Sequence, residues 1–149
     1  MPEVDNTFEY VFLGDVDPTF KPIDAAFYNL RVVKAEPKTF TYKKGKNVGA
    51  DGEMLKFQFA VVDDPNFSGR RVFSTLFMSD FTLRALRHLQ DYSGVEQVAG
   101  EPLKDWLKRL GEESATVKVF VNHREREGAN GDKVVDNDVD WKTIQIASA

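Results

Sequence analysis

The residues of this chain best placed to do chemistry together form a basic, aromatic loop. Lys43, Lys44 and Lys46 surround Gly45 and directly follow the segment Phe40-Thr41-Tyr42. Lysines pair with phosphates and aromatic rings stack on bases, so this combination suits single-stranded nucleic acid. Lysine clusters are also common on solvated surfaces. From the loop alone, a nucleic-acid site and a solvated lysine hairpin are equally good interpretations.

The charge of the chain is unevenly distributed around this loop. Residues 31–46 hold six bases and one acid, a local charge of +5 in a chain of net charge −4. Residues 1–24 carry −5, from six acids and one base, and residues 125–140 carry −4, from six acids and two bases. This distribution argues against a protein that coats duplex DNA by charge alone, but it allows a groove with a local positive field.

Length and composition predict one soluble domain with an arm. A chain of 149 residues can bury its own core. Pro18 and Pro22 break regular structure, so residues 1–24 are interpreted as an N-terminal arm before a domain of residues 25–149. The aromatic residues of the arm predict that it packs either on the domain or on a neighbouring subunit. In the second case the protein would be a homo-oligomer.

Several classes of protein are disfavoured by what the sequence lacks. The absence of cysteine excludes disulfides, thiolate nucleophiles and cysteine-based zinc sites. No apolar run reaches the length that spans a bilayer, and the acidic N-terminus does not resemble a signal peptide. We therefore expect no membrane association and a cytoplasmic location.

No motif predicts an enzyme, a metal site or a cofactor. The segment 136–140 resembles the start of a calcium loop, but Trp141 stands where an EF-hand needs glycine and no glutamate closes the loop. His88 and His123 lack metal-ligand spacing. No P-loop and no nucleophile-elbow sequence is present.

Five segments have the residue pattern of β-strands, and two of helices. Period-two alternation is clearest in Met54–Val62. The predicted strands are Phe27–Glu36, ending at Pro37, then Met54–Val62, Arg71–Phe77, Val117–Asn122 and Val139–Ile146. One helix is predicted from a cap at Ser79 or Asp80 to about Tyr92, before Gly94, and a second from Leu103 to Leu110, between Pro102 and Gly111.

The order of these segments predicts the fold class. Three strands, a helical insert and two further strands make a mostly β (α+β) domain, in the order of the five-stranded OB-fold, a small Greek-key barrel. A parallel α/β sheet would need helices between most strands, and these are missing.

Alternation along the strands predicts which side chains face outward. If Val119 and its neighbouring valines fill the barrel, Lys118 and Phe120 face solvent. If Ile144 and Ile146 fill it, Trp141 faces solvent, roughly opposite Phe120 across a hairpin. For any single aromatic, burial beneath the arm or the helices is the favoured alternative.

The candidate nucleic-acid-binding residues combine the cations of the loop with the outward-facing residues of the strands. Phe73 is included although a shift of one residue in the hairpin register would exchange its face with that of Val72. The candidates are Arg31, Lys34, Phe40, Tyr42, Lys43, Lys44, Lys46, Lys56, Gln58, Phe73, Lys118, Phe120, Arg124 and Trp141.

The chain also resembles a known family. The strand Met54–Asp64, the segment Ser68-Gly69-Arg70-Arg71-Val72-Phe73 and the leucine-rich Leu103–Leu110 are similar, in pattern and order, to the OB-fold single-stranded DNA-binding proteins of bacteriophage replication modules. The resemblance covers roughly residues 25–146. It implies sequence-independent binding of single-stranded DNA in a groove over the barrel, no catalysis, a role in DNA replication or recombination, and location in the host cytoplasm.

The resemblance also implies replication or recombination proteins as partners. Many members of the family recruit such partners through an acidic C-terminal tail, whereas residues 143–149 contain no acid. The acidic arm would have to supply that function here. The main alternative is a non-enzymatic barrel that binds protein, such as a phage accessory or assembly subunit.

Overall fold

The computed structural model describes residues 13–15, 22–46, 48–128 and 131–148. Within them lie five β-strands, two α-helices and a short 3-10 helix, Leu13–Asp15. The bounds are β1 Ala26–Thr41, β2 Asp51–Val62, β3 Arg71–Phe77, α1 Asp80–Ser93, α2 Leu103–Glu112, β4 Thr116–Glu127 and β5 Lys133–Ile146. The mostly β class and the helical insert between the third and fourth strands are confirmed.

The strands form one antiparallel sheet in the order β3-β2-β1-β4-β5. The edge strands β3 and β5 come close, since Trp141 Nε1 donates a hydrogen bond to Ser74 Oγ at 2.9 Å. In the part of the chain that the structure describes, no ladder of backbone hydrogen bonds joins these two edges. The sheet is therefore open, and a closed barrel is not confirmed.

The first strand is longer than predicted. It continues through Pro37 to Thr41, so the prediction that it ends at Pro37 is wrong. Strand β2 pairs with β1 as far as Thr41, whereas β4 pairs with it only from Ala26 to Arg31. At Pro37 one edge of β1 therefore has no strand partner, and the missing N–H of proline costs no ladder bond there.

The inner face of the sheet and the two helices enclose the core. Leu30, Val32, Phe57 and Phe59 are almost completely buried. From the helices, buried side chains come from Leu86 and Leu89 of α1 and from Trp106, Leu107 and Leu110 of α2. Among the described residues, every buried side-chain nitrogen or oxygen has a hydrogen-bond partner. This arrangement leaves the opposite face of the sheet free to carry polar and aromatic side chains.

Both helices have sequence signals at their ends. Ser79 caps α1 by accepting a hydrogen bond from the Thr82 N–H at 3.2 Å, and Gly94 ends it in the left-handed conformation, with φ of 77°. Helix α2 includes Gly111, where the predicted helix stops. A β-carbon at Gly111 would lie 2.8 Å from the Val33 carbonyl oxygen, so glycine lets α2 approach β1 closely.

The described end of the predicted arm packs on the domain. Ile23 is buried, and its N–H donates to Asn137 Oδ1 at 2.9 Å. Its carbonyl oxygen lies 3.0 Å from Asn137 Nδ2 and 2.7 Å from His123 Nε2. Residues 1–12 and 16–21 of the arm lie outside the described residues. Neither described helix is long and apolar enough to span a membrane.

Candidate nucleic-acid interface

The outer faces of β1, β2 and β3 carry alternating cations and aromatic rings side by side. The strand register aligns these residues into rows that cross the three strands. The rows are Lys38–Met54–Phe77, Glu36–Lys56–Thr75 and Lys34–Gln58–Phe73, with Arg31 and Arg71 on either side of Ala60. We call this surface the aromatic–basic face.

Two phenylalanines of this face are open to solvent. Phe73 is 62% exposed and Phe77 is 54% exposed, while the alternating residues Val72, Ser74 and Leu76 are buried. The register of β3 thus resolves the ambiguity left by the sequence in favour of Phe73, Thr75 and Phe77 facing outward. Exposed aromatic rings of this size, close to cations, are typical of a binding surface rather than of a solvated one.

A cluster of aromatic rings lies at one end of the face. The ring of Phe40 contacts those of Tyr42 and Phe77 edge-on, with centroid distances of 4.8 and 5.5 Å. Gly52 lies opposite Phe40 in the ladder, and a β-carbon there would lie 2.7 Å from the Phe40 ring. Gly52 therefore lets the rings lie against the strand, at the base of the basic loop.

The basic loop is a hairpin turn between β1 and β2. The Tyr42 N–H donates to the Ala50 carbonyl and the Gly49 N–H donates to the Tyr42 carbonyl, both at 2.9 Å. Gly49 has a φ of 87°, which glycine tolerates without strain. The exposed lysines of the loop, Lys43, Lys44 and Lys46, form no salt bridge with other described residues. Their charges are available to a ligand.

One carboxylate stands among the cations of the face. Glu36 forms salt bridges of 3.4 Å with both Lys34 and Lys38. Desolvation acts to raise the pKa of Glu36, but the hydrogen bonds and charges of Lys34 and then Lys38 together outweigh it, so the pKa is lowered. Glu36 is therefore ionised near neutral pH and neutralises part of the positive charge of the face.

The face continues into a groove between β3 and the β4–β5 hairpin, with a volume of about 460 Å³. One wall of the groove comes from β3 and the other from the β4–β5 hairpin, and the groove carries both basic and acidic side chains. The charged and aromatic side chains along it are Arg70, Arg71, Phe73, Arg124, Arg126, Asp136 and Asp138. Arg124 lies 3.9 Å from Asp138, and Arg126 forms an ion pair with Asp136. Arg124, predicted from the sequence, thus lies in the groove with one carboxylate already beside it.

The prediction that Trp141 faces solvent is wrong. Trp141 is 4% exposed, and its ring lies 5.0 Å from that of Phe57 and 5.8 Å from that of Phe59. The ladder between β4 and β5 is irregular: Lys118 pairs with Gln145 but Phe120 pairs with Asp140. The extra residues of β5 at this bulge shift the alternation.

Two related predictions about β5 are also wrong, one because of the bulge and one because Ile146 is the last residue of the strand. Ile144 is buried as predicted, but Ile146 is 69% exposed and does not fill the core. Phe120 stands opposite Asp140 and not opposite Trp141. The stacking pair that the sequence predicted from these two aromatics therefore does not exist.

Lys118 and Phe120 lie on the outer side of the sheet but apart from the aromatic–basic face. Phe120 pairs with Phe27, with ring centroids 5.2 Å apart, and Lys118 Nζ lies 5.9 Å from the Phe27 ring centre. Phe27 and Phe40 occupy the two ends of β1, roughly 40 Å apart along an extended strand. The fold therefore does not bring these two residues together with the basic loop.

Sequence reasoning missed three residues of the outer surface and left the orientation of a fourth, Phe77, open together with that of Phe73. Lys38, Phe77 and Arg71 belong to the aromatic–basic face, and Phe27 is 45% exposed beside Phe120. Continuing the alternation of Lys34 past Pro37 would have found Lys38. Alternation against Tyr28 and Leu30 would have found Phe27.

No protein-family model matches the chain, and no curated protein matches it. The similarity to phage single-stranded DNA-binding proteins therefore rests on the pattern and order of its segments. Within the described ranges, no group of histidine, aspartate and glutamate side chains is arranged to hold a metal ion.

Proposed function

We propose that this protein is a non-enzymatic single-stranded DNA-binding protein that takes the strand across its aromatic–basic face, independently of base sequence. The observation that carries this proposal is the exposure of Phe73 and Phe77 in the same cross-strand rows as Lys34 and Lys38. Rings would stack on bases while the lysines pair with phosphates. The resemblance adds DNA replication or recombination, in a phage, as the process served.

The connectivity supports an OB-fold as the framework of this function. The OB-fold is a five-stranded, partly open Greek-key barrel. The face of its strands 2 and 3, with the loops that join strands 1–2 and 4–5, binds oligonucleotides. In this chain the corresponding positions are the aromatic–basic face, the basic loop, and the groove beside the β4–β5 hairpin. The proximity of β3 and β5 at Ser74 and Trp141 is consistent with a barrel open at that seam.

The chemistry of the face favours single strands over duplex. Stacking on Phe73 and Phe77 needs unpaired bases, and each stacked base contributes about 1–3 kcal/mol of binding free energy. The net charge of −4 disfavours indiscriminate attraction to the more densely charged duplex. Stacking and charge act alike on DNA and RNA. The proposal of DNA rests on the resemblance to phage single-stranded DNA-binding proteins.

The proposal is tested by fluorescence anisotropy with labelled oligo-dT and with a duplex of equal length, over a series of salt concentrations. The single strand should bind more tightly, and its affinity should fall as salt rises. Equal affinity for both would contradict the stacking mechanism. No affinity for either would favour the alternative function, a barrel that binds protein. Intrinsic tryptophan fluorescence is a poor probe, because Trp106 and Trp141 are both buried.

A further inference from the structure

The groove beside β3 has features that an unspecific phosphate channel does not need. Two carboxylates, Asp136 and Asp138, line it together with the exposed ring of Phe73. They lie on the β4–β5 hairpin, across the groove from Arg71 on β3. A strand whose phosphates followed Arg71 and whose base stacked on Phe73 would present its base edge to the hairpin.

Asp136 has one oxygen outside its ion pair, and Asp138 has one oxygen that makes an ion pair but no hydrogen bond. Asp136 uses Oδ2 in its ion pair with Arg126. Asp138 accepts from the Val139 N–H on Oδ1, at 2.9 Å, and its Oδ2 lies 3.9 Å from Arg124. The side chains are 41% and 36% exposed. A carboxylate accepts hydrogen bonds only, so each can receive a proton donor from a ligand but cannot donate one.

We propose that, within binding that is otherwise independent of base sequence, Asp136 and Asp138 give the groove a several-fold preference for bases that carry an exocyclic amino group, with cytosine as the simplest case. The N4 amino group of cytosine donates to carboxylates. Uracil and thymine have an oxygen at the same ring position, which would face the carboxylates as a second acceptor. The inference rests on the proposed function, because it needs a single strand in the groove.

The test compares oligo-dC with oligo-dU, which differ in the group at ring position 4. Both are measured by anisotropy at mildly alkaline pH, with the wild type and with the Asp136→Asn, Asp138→Asn double variant. The wild type should bind oligo-dC about fivefold more tightly, the low end for a specific base contact. In the double variant the ratio should fall to about one, since an asparagine amide can accept from cytosine or donate to uracil.

Asp91→Asn is the matched control. Asp91 is an exposed carboxylate paired with Arg87 on α1, outside the groove, and its variant should keep the wild-type ratio. The two Asp→Asn changes free Arg124 and Arg126 from their ion pairs, which should raise the affinity for oligo-dC and oligo-dU alike. The ratio of the two affinities is therefore the informative quantity. The two single variants, checked by urea melts, report on each carboxylate if the double variant is unstable.

The outcomes separate this inference from the proposed function. Equal binding of oligo-dC and oligo-dU by the wild type would overturn the inference alone. A preference for oligo-dC that survives in the double variant would also overturn it, because another group would then read the base. Failure to bind either strand would overturn the proposed function and the inference together.

Discussion

At the scale of single residues, Trp141 is the clearest case of a side chain whose role is structural. It packs on Phe57 and Phe59 and ties β5 to β3 through Ser74. Trp141 lies on the inner side of the sheet and is not part of the aromatic–basic face. Trp141 is therefore a core residue that links β5 to β3.

We expect Trp141→Ala to lower the free energy of unfolding by about 3–5 kcal/mol, the usual cost of truncating a buried aromatic. Trp141→Phe should cost less, about 1–3 kcal/mol, because it removes the hydrogen bond to Ser74 and part of the ring. Urea melts measure both. The folded fraction of Trp141→Phe should bind oligo-dT normally. A stable variant that no longer binds would mean that Trp141 reaches the ligand after all.

Glu36 is the residue that should restrain binding. Glu36→Gln removes the carboxylate that pairs with Lys34 and Lys38, so oligo-dT should bind a few-fold more tightly and with a steeper salt dependence. Asp91→Asn on α1, where the carboxylate pairs with Arg87, is the control. Unchanged affinity in Glu36→Gln would show that the strand does not pass over these lysines.

The lowered pKa of Glu36 also fixes the sign of a pH effect. A carboxyl whose pKa is lower in the folded state stabilises the fold above its unfolded pKa, and this contribution is lost as pH falls through the folded value. Protonation would release Lys34 and Lys38 for phosphates. As the pH is lowered through the pKa of Glu36, the affinity of Glu36→Gln for oligo-dT should therefore change less than that of the wild type.

At the scale of elements, we expect the basic loop and the strands it joins to contribute separately to binding. Replacing Lys43, Lys44 and Lys46 together with alanine should flatten the log–log salt dependence by about 0.7 for each phosphate that the loop no longer neutralises. Replacing Arg84 and Arg87, two exposed arginines of α1, gives a control for the loss of positive charge outside the loop. An unchanged slope in the loop variant would show that the loop does not touch the strand.

How far the elements can be predicted depends on how local their signals are. The caps Ser79 and Gly94 act within a few residues, and the predicted bounds of α1 agree nearly to the residue. The end of β1 depends on which of its edges has a partner, so Pro37 is a misleading signal. The bulge in β5 is a property of its pairing with β4, and alternation within β5 alone could not place Trp141.

At the scale of the whole molecule, charge is segregated. The acids concentrated in residues 1–24 and 125–140 give the chain its negative net charge, while the aromatic–basic face and the basic loop are cationic. The distribution of charge along the sequence predicted a local positive field. In the structure the cations share one face with exposed aromatic rings. The sequence named Phe40, Tyr42 and Phe73 as candidates, but the outward orientation of Phe73 and Phe77 depends on register across three strands and could not be settled from the sequence.

The most direct measurement of the central claim is a paired one on Phe73→Ala, with Tyr92→Ala as the control for an exposed aromatic on α1. Since Phe73 is 62% exposed, its removal should change the free energy of unfolding by no more than about 0.5 kcal/mol in urea melts. It should nevertheless cost about 1–3 kcal/mol of binding to oligo-dT, measured by anisotropy on the same sample. Tyr92→Ala should leave the affinity for oligo-dT unchanged. Normal binding by a fully folded Phe73→Ala would contradict the claim that the aromatic–basic face stacks on single-stranded DNA.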